Sequence, residues 1–377
     1  MSDKQPVRVL VVAPLGVGGV TSMMINIQKH LDRSKINFDY LTFHDRKEPS
    51  EDIVKSLGSK KYVACVDHIK FAAIRRFARL KEIKRVCKEN HIKILHYNAD
   101  TPADLMNIMA AKAGGVEYVT IHSHNAGFGI AGKGVRLMSK ILQPLIPKYC
   151  DCFLGCSDLA SRFLYPKSII DSGNYSVLPN GIELSRYAFN PLVRNEMRNK
   201  LQIQDKFVVG HAGRFAAQKN HAFLLDIFKE IYLQDKNAVL LLFGVGELMD
   251  KIKEKAKSLD IYNSVIFYGT SSEMDKMWQA MDVFVMPSLH EGLPVTGIEA
   301  QASGLPCVFS SEITSEVDVT NSSVFLSLSD SAKDWANTIL GLRNKERQDN
   351  IEYLQKSGYD IETVAKVVTD LYTSKKK

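Results

Sequence analysis

The strongest constraint in this chain is an alternation that runs twice. Short apolar stretches ended by glycine or proline are separated by segments of helical period. Val7–Val12 reads as a first strand, and Thr21–Leu31 as a helix with Thr21 and Ser22 as caps. Ile92–His96, Tyr118–Ile121 and Cys152–Cys156 follow as strands, the last leading into a helix at Ser157-Asp158-Leu159. Leu178-Pro179-Asn180-Gly181 then joins a proline to an Asn-Gly turn and marks a boundary. Beyond it, strands are expected at Phe207–Gly210, Ala238–Phe243, Val265–Tyr268, Val283–Met286 and Cys307–Phe309. Helices His221–Leu233, Leu248–Ser258, Glu273–Met281 and one around Ile298–Ser303 separate them, and two more close the chain, the last over Ile361–Leu371. Strands apolar along their whole length are buried on both faces, which implies parallel sheets covered by helices. The pattern predicts an α/β protein of two doubly wound parallel sheets, with ligands in a cleft outside the carboxyl ends of the strands. Expected domains are 1–183 and 184–355, with 356–377 a terminal helix crossing back to the first; a length of 377 residues suits two domains and an extra element.

Composition removes several alternatives. With 45% hydrophobic and 24% charged residues, the chain is neither disordered nor fibrous. No apolar run approaches the ~18 residues of a membrane-spanning helix. Lys4 and Arg8 before Val9-Leu10-Val11-Val12 imitate a secretory signal, but Asp3, Pro6 and Pro14 interrupt it and no small-residue cleavage site follows. The expectation is a buried strand in a cytoplasmic protein. Cys150, Cys152 and Cys156 lack a second ligand pair or a suitably spaced histidine, so they read as buried thiols. Lys375-Lys376-Lys377 reads as a frayed tail.

The net charge of +7 is concentrated in one place. Residues 69–93 hold nine Lys/Arg against Glu82 and Glu89, an excess equal to that of the whole chain. Phe71, Ile74, Phe77, Leu80, Ile83 and Cys87 recur there at helical spacing, which describes a basic amphipathic helix. One reading is a solvated outer face. The other is attraction to an anionic membrane surface, each cation near it contributing about 1 kcal/mol. No nucleic-acid motif accompanies the charge.

Three loops carry the chemistry. Gly16-Val17-Gly18-Gly19 joins the first strand to a helix, where glycines admit a ligand to the backbone and free N–H groups face a phosphate. It lacks the third glycine of G-x-G-x-x-G and the Lys-Ser/Thr of a P-loop, so by itself it also fits a tight turn. After Phe207–Gly210, Arg214 and Lys219 supply a forked and a point charge suited to a diphosphate. The most specific segment is Pro287-Ser288-Leu289-His290-Glu291-Gly292-Leu293-Pro294-Val295-Thr296-Gly297-Ile298-Glu299-Ala300. Glu291 is expected in a glycine-rich turn, and Glu299 in the first turn of the following helix, its two oxygens accepting vicinal hydroxyls. Backbone N–H groups from Gly292 and Leu293 onward are placed to hold a phosphate.

Glu291-x7-Glu299, set in MPSLHEGLPVTGIEAQASGLP, resembles the signature of retaining GT-B glycosyltransferases of the family-4 type. Arg214, Lys219, the Leu178-Pro179-Asn180-Gly181-Ile182-Glu183 segment and the first glycine loop are similar to their counterparts there. Ile121-His122-Ser123-His124-Asn125 resembles the exopolysaccharide and capsule branch. The resemblance implies an N-terminal Rossmann-like acceptor domain and a C-terminal Rossmann-like nucleotide-sugar domain. It also implies Glu299 on the ribose, Glu291 on donor-sugar hydroxyls, Arg214 and Lys219 on the diphosphate, and Gly18 and Gly19 near the phosphate. His122 takes the position of a histidine beside the reacting sugar, with His124 a rival on what reads as the same loop. Glu183 stands where aspartate is common.

The activity implied is retaining transfer of a hexose from a nucleotide-diphosphate sugar, UDP-linked by family default, to a lipid-linked or oligosaccharide acceptor. The chain has no Asp-x-Asp, so protein cations and a helix dipole are expected to replace a metal, with no cofactor. An epimerase on the same fold, a dinucleotide-dependent oxidoreductase and a non-catalytic sugar-binding protein are the alternatives; the broken glycine fingerprint disfavours the oxidoreductase.

Overall fold

Thirteen strands form among the described residues, and every pairing between them is parallel. A computed structural model of the chain describes residues 5–16, 18–129 and 131–374; Lys4, Val17 of the glycine loop and the Lys375-Lys376-Lys377 tail lie outside them. The chain divides into two units, Met1–Ile182 with Gly358–Lys377, and Glu183–Ser357.

In the first unit the strands are β1 Val7–Val12, β2 Ile36–Thr42, β3 Lys61–Val63, β4 Ile94–Ala99, β5 Tyr118–Ser123, β6 Cys152–Gly155 and β7 Ser176–Val177. They lie in the order β3-β2-β1-β4-β5-β6-β7. Strand order reverses direction between β1 and β4, which creates the crevice where ligands of such sheets bind. β2 escaped prediction because Asn37 and Asp39 break its apolar run, although all seven residues are buried. Each polar group has partners: Arg8 Nε donates to Asp39 Oδ2 at 3.0 Å and Gln28 Nε2 to Asn37 Oδ1 at 2.8 Å. The first helix spans Gly19–His30 and begins before Thr21, whose hydroxyl donates to Pro14 O at 2.8 Å and caps nothing. Ser157 does cap its helix, accepting from Ala160 N. The helix Ile361–Thr373 shares an apolar cluster with the first helix through Ile361, Val364, Ala365, Val368, Tyr372, Met23, Met24 and Ile27. Burying each large side chain of that set contributes about 1.5–3 kcal/mol.

The basic helix spans Ala72–Glu89, but its apolar residues do not form one buried stripe. Ile83 and Cys87 are buried, whereas Phe71, Ile74 and Phe77 are exposed by 74%, 58% and 64%. In the second half of the helix Ile83, Val86 and Cys87 join the buried cluster beneath it.

In the second unit β8 Phe207–Ala212, β9 Ala238–Phe243, β10 Val265–Gly269, β11 Val283–Met286, β12 Cys307–Ser310 and β13 Val324–Leu326 lie in the order β10-β9-β8-β11-β12-β13. The reversal falls between β8 and β11, so the loops that follow those two strands leave side by side. Three helices rather than two close the chain: Ala332–Gly341, Ile351–Lys356 and Ile361–Thr373.

Candidate active site

In the second unit, strand order brings the cation loop and the two-glutamate segment together. Leu289 N donates to Gln218 O at 2.8 Å and Gln218 Nε2 to His290 O at 2.9 Å, which ties the loop after β8 to the loop after β11. A lone parallel bridge from Glu291 to Ile313 holds the second loop from its other side. Lys219 Nζ consequently lies 2.8 Å from Glu291 Oε1. The contact lacks hydrogen-bond alignment, and Oε1 keeps its accepting capacity. Arg214 is exposed and pairs with no carboxylate among the described residues. The backbone N–H of Leu293, one residue after Gly292, meets no acceptor among the described residues.

Glu299 departs from expectation in place. The helix begins at Val295, so Glu299 is its fifth residue and not in the first turn; Pro294, with its fixed φ, starts the helix early. Its carboxyl is nonetheless held firmly. Tyr187 Oη donates to Oε1 at 3.1 Å and Trp278 Nε1 to Oε2 at 3.1 Å, each oxygen keeping one lone pair. Burial pushes this carboxyl up to about 7 against those two hydrogen bonds, which act to lower it. Neither Tyr187 nor Trp278 figured in the sequence reading, because nothing local links them to a residue over a hundred or twenty positions away.

Two glycines also went unassigned. Gly244 has φ +129°, and a Cβ there would sit 2.1 Å from Gly213 O; at Gly246 it would sit 2.6 Å from Phe215 O. The Gly-Val-Gly run after β9 therefore lets the backbone press against residues 213–215, on either side of Arg214. His211 belongs to the same cluster. Its Nδ1 bonds Val285 O at 2.8 Å and so carries the proton, leaving Nε2 buried without a partner beside Gly213.

In the first unit, added Cβ atoms at Gly18 and Gly19 would meet no atom within 4 Å. The protein itself does not require glycine there, and the room is open to a ligand. His122 is not on a loop: β5 runs to Ser123, so His122 is a fully buried strand residue, and half-buried His124 follows the strand end. The two rings lie 4.2 Å apart between centroids, tilted by 39°. His124 Nε2 lies 2.7 Å from Asn98 Oδ1, and His122 Nδ1 lies 3.3 Å from His96 Nε2. Burial pushes all three imidazoles down, His96 to about 4 and His124 to about 3, so they are neutral at pH 7.

Two parallel sheets, each with polar loops at its switch point, are the framework on which GT-B glycosyltransferases are built. Comparison with known proteins agrees. The pattern of glycosyl transferases group 1 matches residues 193–358, and that of glycosyltransferase family 4 matches residues 17–186. EpsF of Bacillus subtilis (strain 168), whose own assignment as a glycosyltransferase is provisional, is 32% identical over 99% of this chain and 97% of its own length. The chain therefore belongs to this glycosyltransferase family. An Escherichia coli UDP-Gal:alpha-D-GlcNAc-diphosphoundecaprenol alpha-1,3-galactosyltransferase is 28% identical over 63% of this chain and 62% of its own. Among solved structures, Anabaena HepE, crystallised with UDP and glucose, superposes with a TM-score of 0.76 at 16% identity, over 98% of this chain and all of its own.

Proposed function

We propose that the protein is a retaining hexosyltransferase that takes its sugar from a nucleotide diphosphate, UDP by preference, and delivers it to a lipid-linked or oligosaccharide acceptor in surface-glycan synthesis. The observation that carries this is the joined pair of loops in the second unit, which brings Lys219 to Glu291 beside Arg214, with Glu299 on the helix that follows the second loop. In this scheme Glu299 accepts the ribose hydroxyls through its remaining lone pairs. Lys219 and Arg214 take up the negative charge that builds on the diphosphate as the sugar–phosphate bond breaks. Glu291, already beside Lys219, accepts from the sugar hydroxyls. Gly292 and Leu293 offer backbone N–H groups to the phosphate, and Gly18 and Gly19 leave room for close approach. His122 meets the transferred sugar. Two protein cations at this loop, with no Asp-x-Asp in the chain, support a metal-independent reaction.

The E. coli relative's UDP-galactose donor and diphosphoundecaprenol acceptor support the donor and acceptor classes. A membrane-borne acceptor also accords with the basic helix, where Phe71, Ile74 and Phe77 are exposed among Arg75, Arg76 and Arg79. Apolar anchors ringed by cations suit an anionic leaflet. No helix among the described residues is long and apolar enough to cross a membrane. The decisive experiment incubates the protein with labelled UDP-, GDP- and ADP-sugars, with and without undecaprenyl-diphosphate saccharides. Transfer with retained anomeric configuration is expected; epimerised donor without acceptor would replace this reading with the epimerase.

A further inference from the structure

The first unit holds a buried hydrogen-bonded chain whose direction can be worked out from its ends. Tyr372, on the terminal helix, lies 2.7 Å through its hydroxyl from His96 Nδ1 on β4. His96 Nε2 in turn lies 3.3 Å from His122 Nδ1 on β5, the strand paired to β4. Tyr372, His96 and His122 are all essentially inaccessible to solvent. His122 Nε2, at the open end of the chain, is buried and has no partner.

Each imidazole is neutral, so each has one N–H and one bare nitrogen. Only two arrangements satisfy the chain. In one, Tyr372 donates to His96 Nδ1, His96 Nε2–H donates to His122 Nδ1, and His122 presents Nε2–H. In the other every bond is reversed, and His122 presents a bare Nε2. The reversed chain leaves the Tyr372 O–H proton needing a second acceptor. That proton has an acceptor within reach in the Thr120 hydroxyl, which lies beside Tyr372 and has no aligned partner of its own. A phenol O–H is a stronger donor than a neutral imidazole N–H, and a bare imidazole nitrogen a stronger acceptor than a phenol oxygen, which sets the 2.7 Å contact as Tyr372 donating to His96 Nδ1. His124 is set by Asn98, whose Nδ2 donates to Val12 O at 3.0 Å, which fixes the amide and leaves Oδ1 to accept from His124 Nε2–H.

We propose that Tyr372 and His96 are positioning residues that hold His122 as its Nε2–H tautomer, so that this histidine offers a hydrogen-bond donor, and not a base, to an oxygen of the sugar substrate. This rests on the assignment of His122 to the transferred sugar. An oxygen that gains electron density during transfer is stabilised by a preset donor. The terminal helix thus contributes to the first unit's chemistry through one hydroxyl as well as through packing.

Long-range proton–nitrogen NMR of the full chain, labelled with ¹⁵N-histidine, reads the tautomers directly. His96, His122 and His124 should all appear as Nε2–H. In Tyr372→Phe, His96 and His122 should become mixtures of tautomers while His124 stays unchanged, which certifies the fold. His122 found as Nδ1–H, or untouched by Tyr372→Phe, overturns the proposal. With an active donor in hand, Tyr372→Phe should lower kcat on the order of tenfold with little change in donor KM. His96→Gln, which keeps an N–H toward His122, should retain more kcat than His96→Leu. Equal losses in those two variants, or a shifted tautomer with unchanged kcat, overturn the positioning role. The predicted tautomers in a protein that transfers no sugar would leave the chain of bonds standing and remove the functional assignment.

Discussion

Glu299 shows how a single residue couples environment to binding. In the proposed function its carboxyl, raised by burial to about 7, must be ionised to accept two ribose hydroxyls at full strength. Nucleotide-sugar phosphates do not titrate near neutrality, so affinity should tighten by about tenfold between pH 6 and pH 8. Glu299→Gln should bind more weakly and lose that dependence; calorimetry at the two pH values reads both. The stability sign is opposite. The folded carboxyl holds its proton more tightly than the unfolded one at 4.5, so the protein binds more protons folded than unfolded between pH 4.5 and about 7. Stability should fall as pH rises through that window, and Glu299→Gln should flatten the fall in thermal melts. At Lys219, substitution by Ala removes a cation that the proposed function assigns to the diphosphate and leaves the nearly buried Glu291 without its ion pair. Donor affinity should drop by roughly ten- to a hundredfold. His122→Ala should instead lower turnover more than donor binding.

At the scale of elements, the loops work because the segments around them fit closely. Gly244→Ala forces a Cβ into Gly213 O from a left-handed backbone. It should destabilise the second unit by about 2–3 kcal/mol and weaken donor binding through Arg214, measurable by melting and calorimetry together. At the other end of the same sheet, Asp282 pairs with Arg194 and Arg198 and accepts from Val208 N at 2.7 Å. Asp282→Ala strands a buried arginine and should cost about 3 kcal/mol in melts without touching donor binding in the folded protein. These elements also show what a sequence reveals. β9 and β11 were legible to the residue because uninterrupted apolar runs have one stable fate in a covered parallel sheet. β2 was hidden, since the partners that satisfy Asn37 and Asp39 lie elsewhere in the chain. Glu291, Glu299, Arg214 and Lys219 stood out by spacing. Tyr187, Trp278, Gly244 and His96 did not, because their roles are created by strand order and packing, and no local pattern encodes either. The basic helix was legible in charge but not in burial: periodicity placed Phe71, Ile74 and Phe77 on its apolar face, and only the packing shows them exposed.

For the molecule as a whole, two units divide the work. The second unit carries the cations and carboxylates assigned to the donor, and the first carries the histidines, the glycine loop and the basic helix. If that helix meets a membrane, vesicle flotation should rise with anionic lipid and fall with salt. Arg75→Glu with Arg76→Glu should abolish it, and equal flotation on neutral vesicles would remove the electrostatic idea. The central claim, that a sugar diphosphate is held by protein cations in the second unit, is met most directly by calorimetry of nucleotide sugars with a chelator present. Wild-type protein should bind at least one UDP-sugar and Lys219→Ala should bind it roughly ten- to a hundredfold more weakly; failure of the wild type to bind any UDP-, GDP- or ADP-sugar, or binding undiminished in Lys219→Ala, would contradict it.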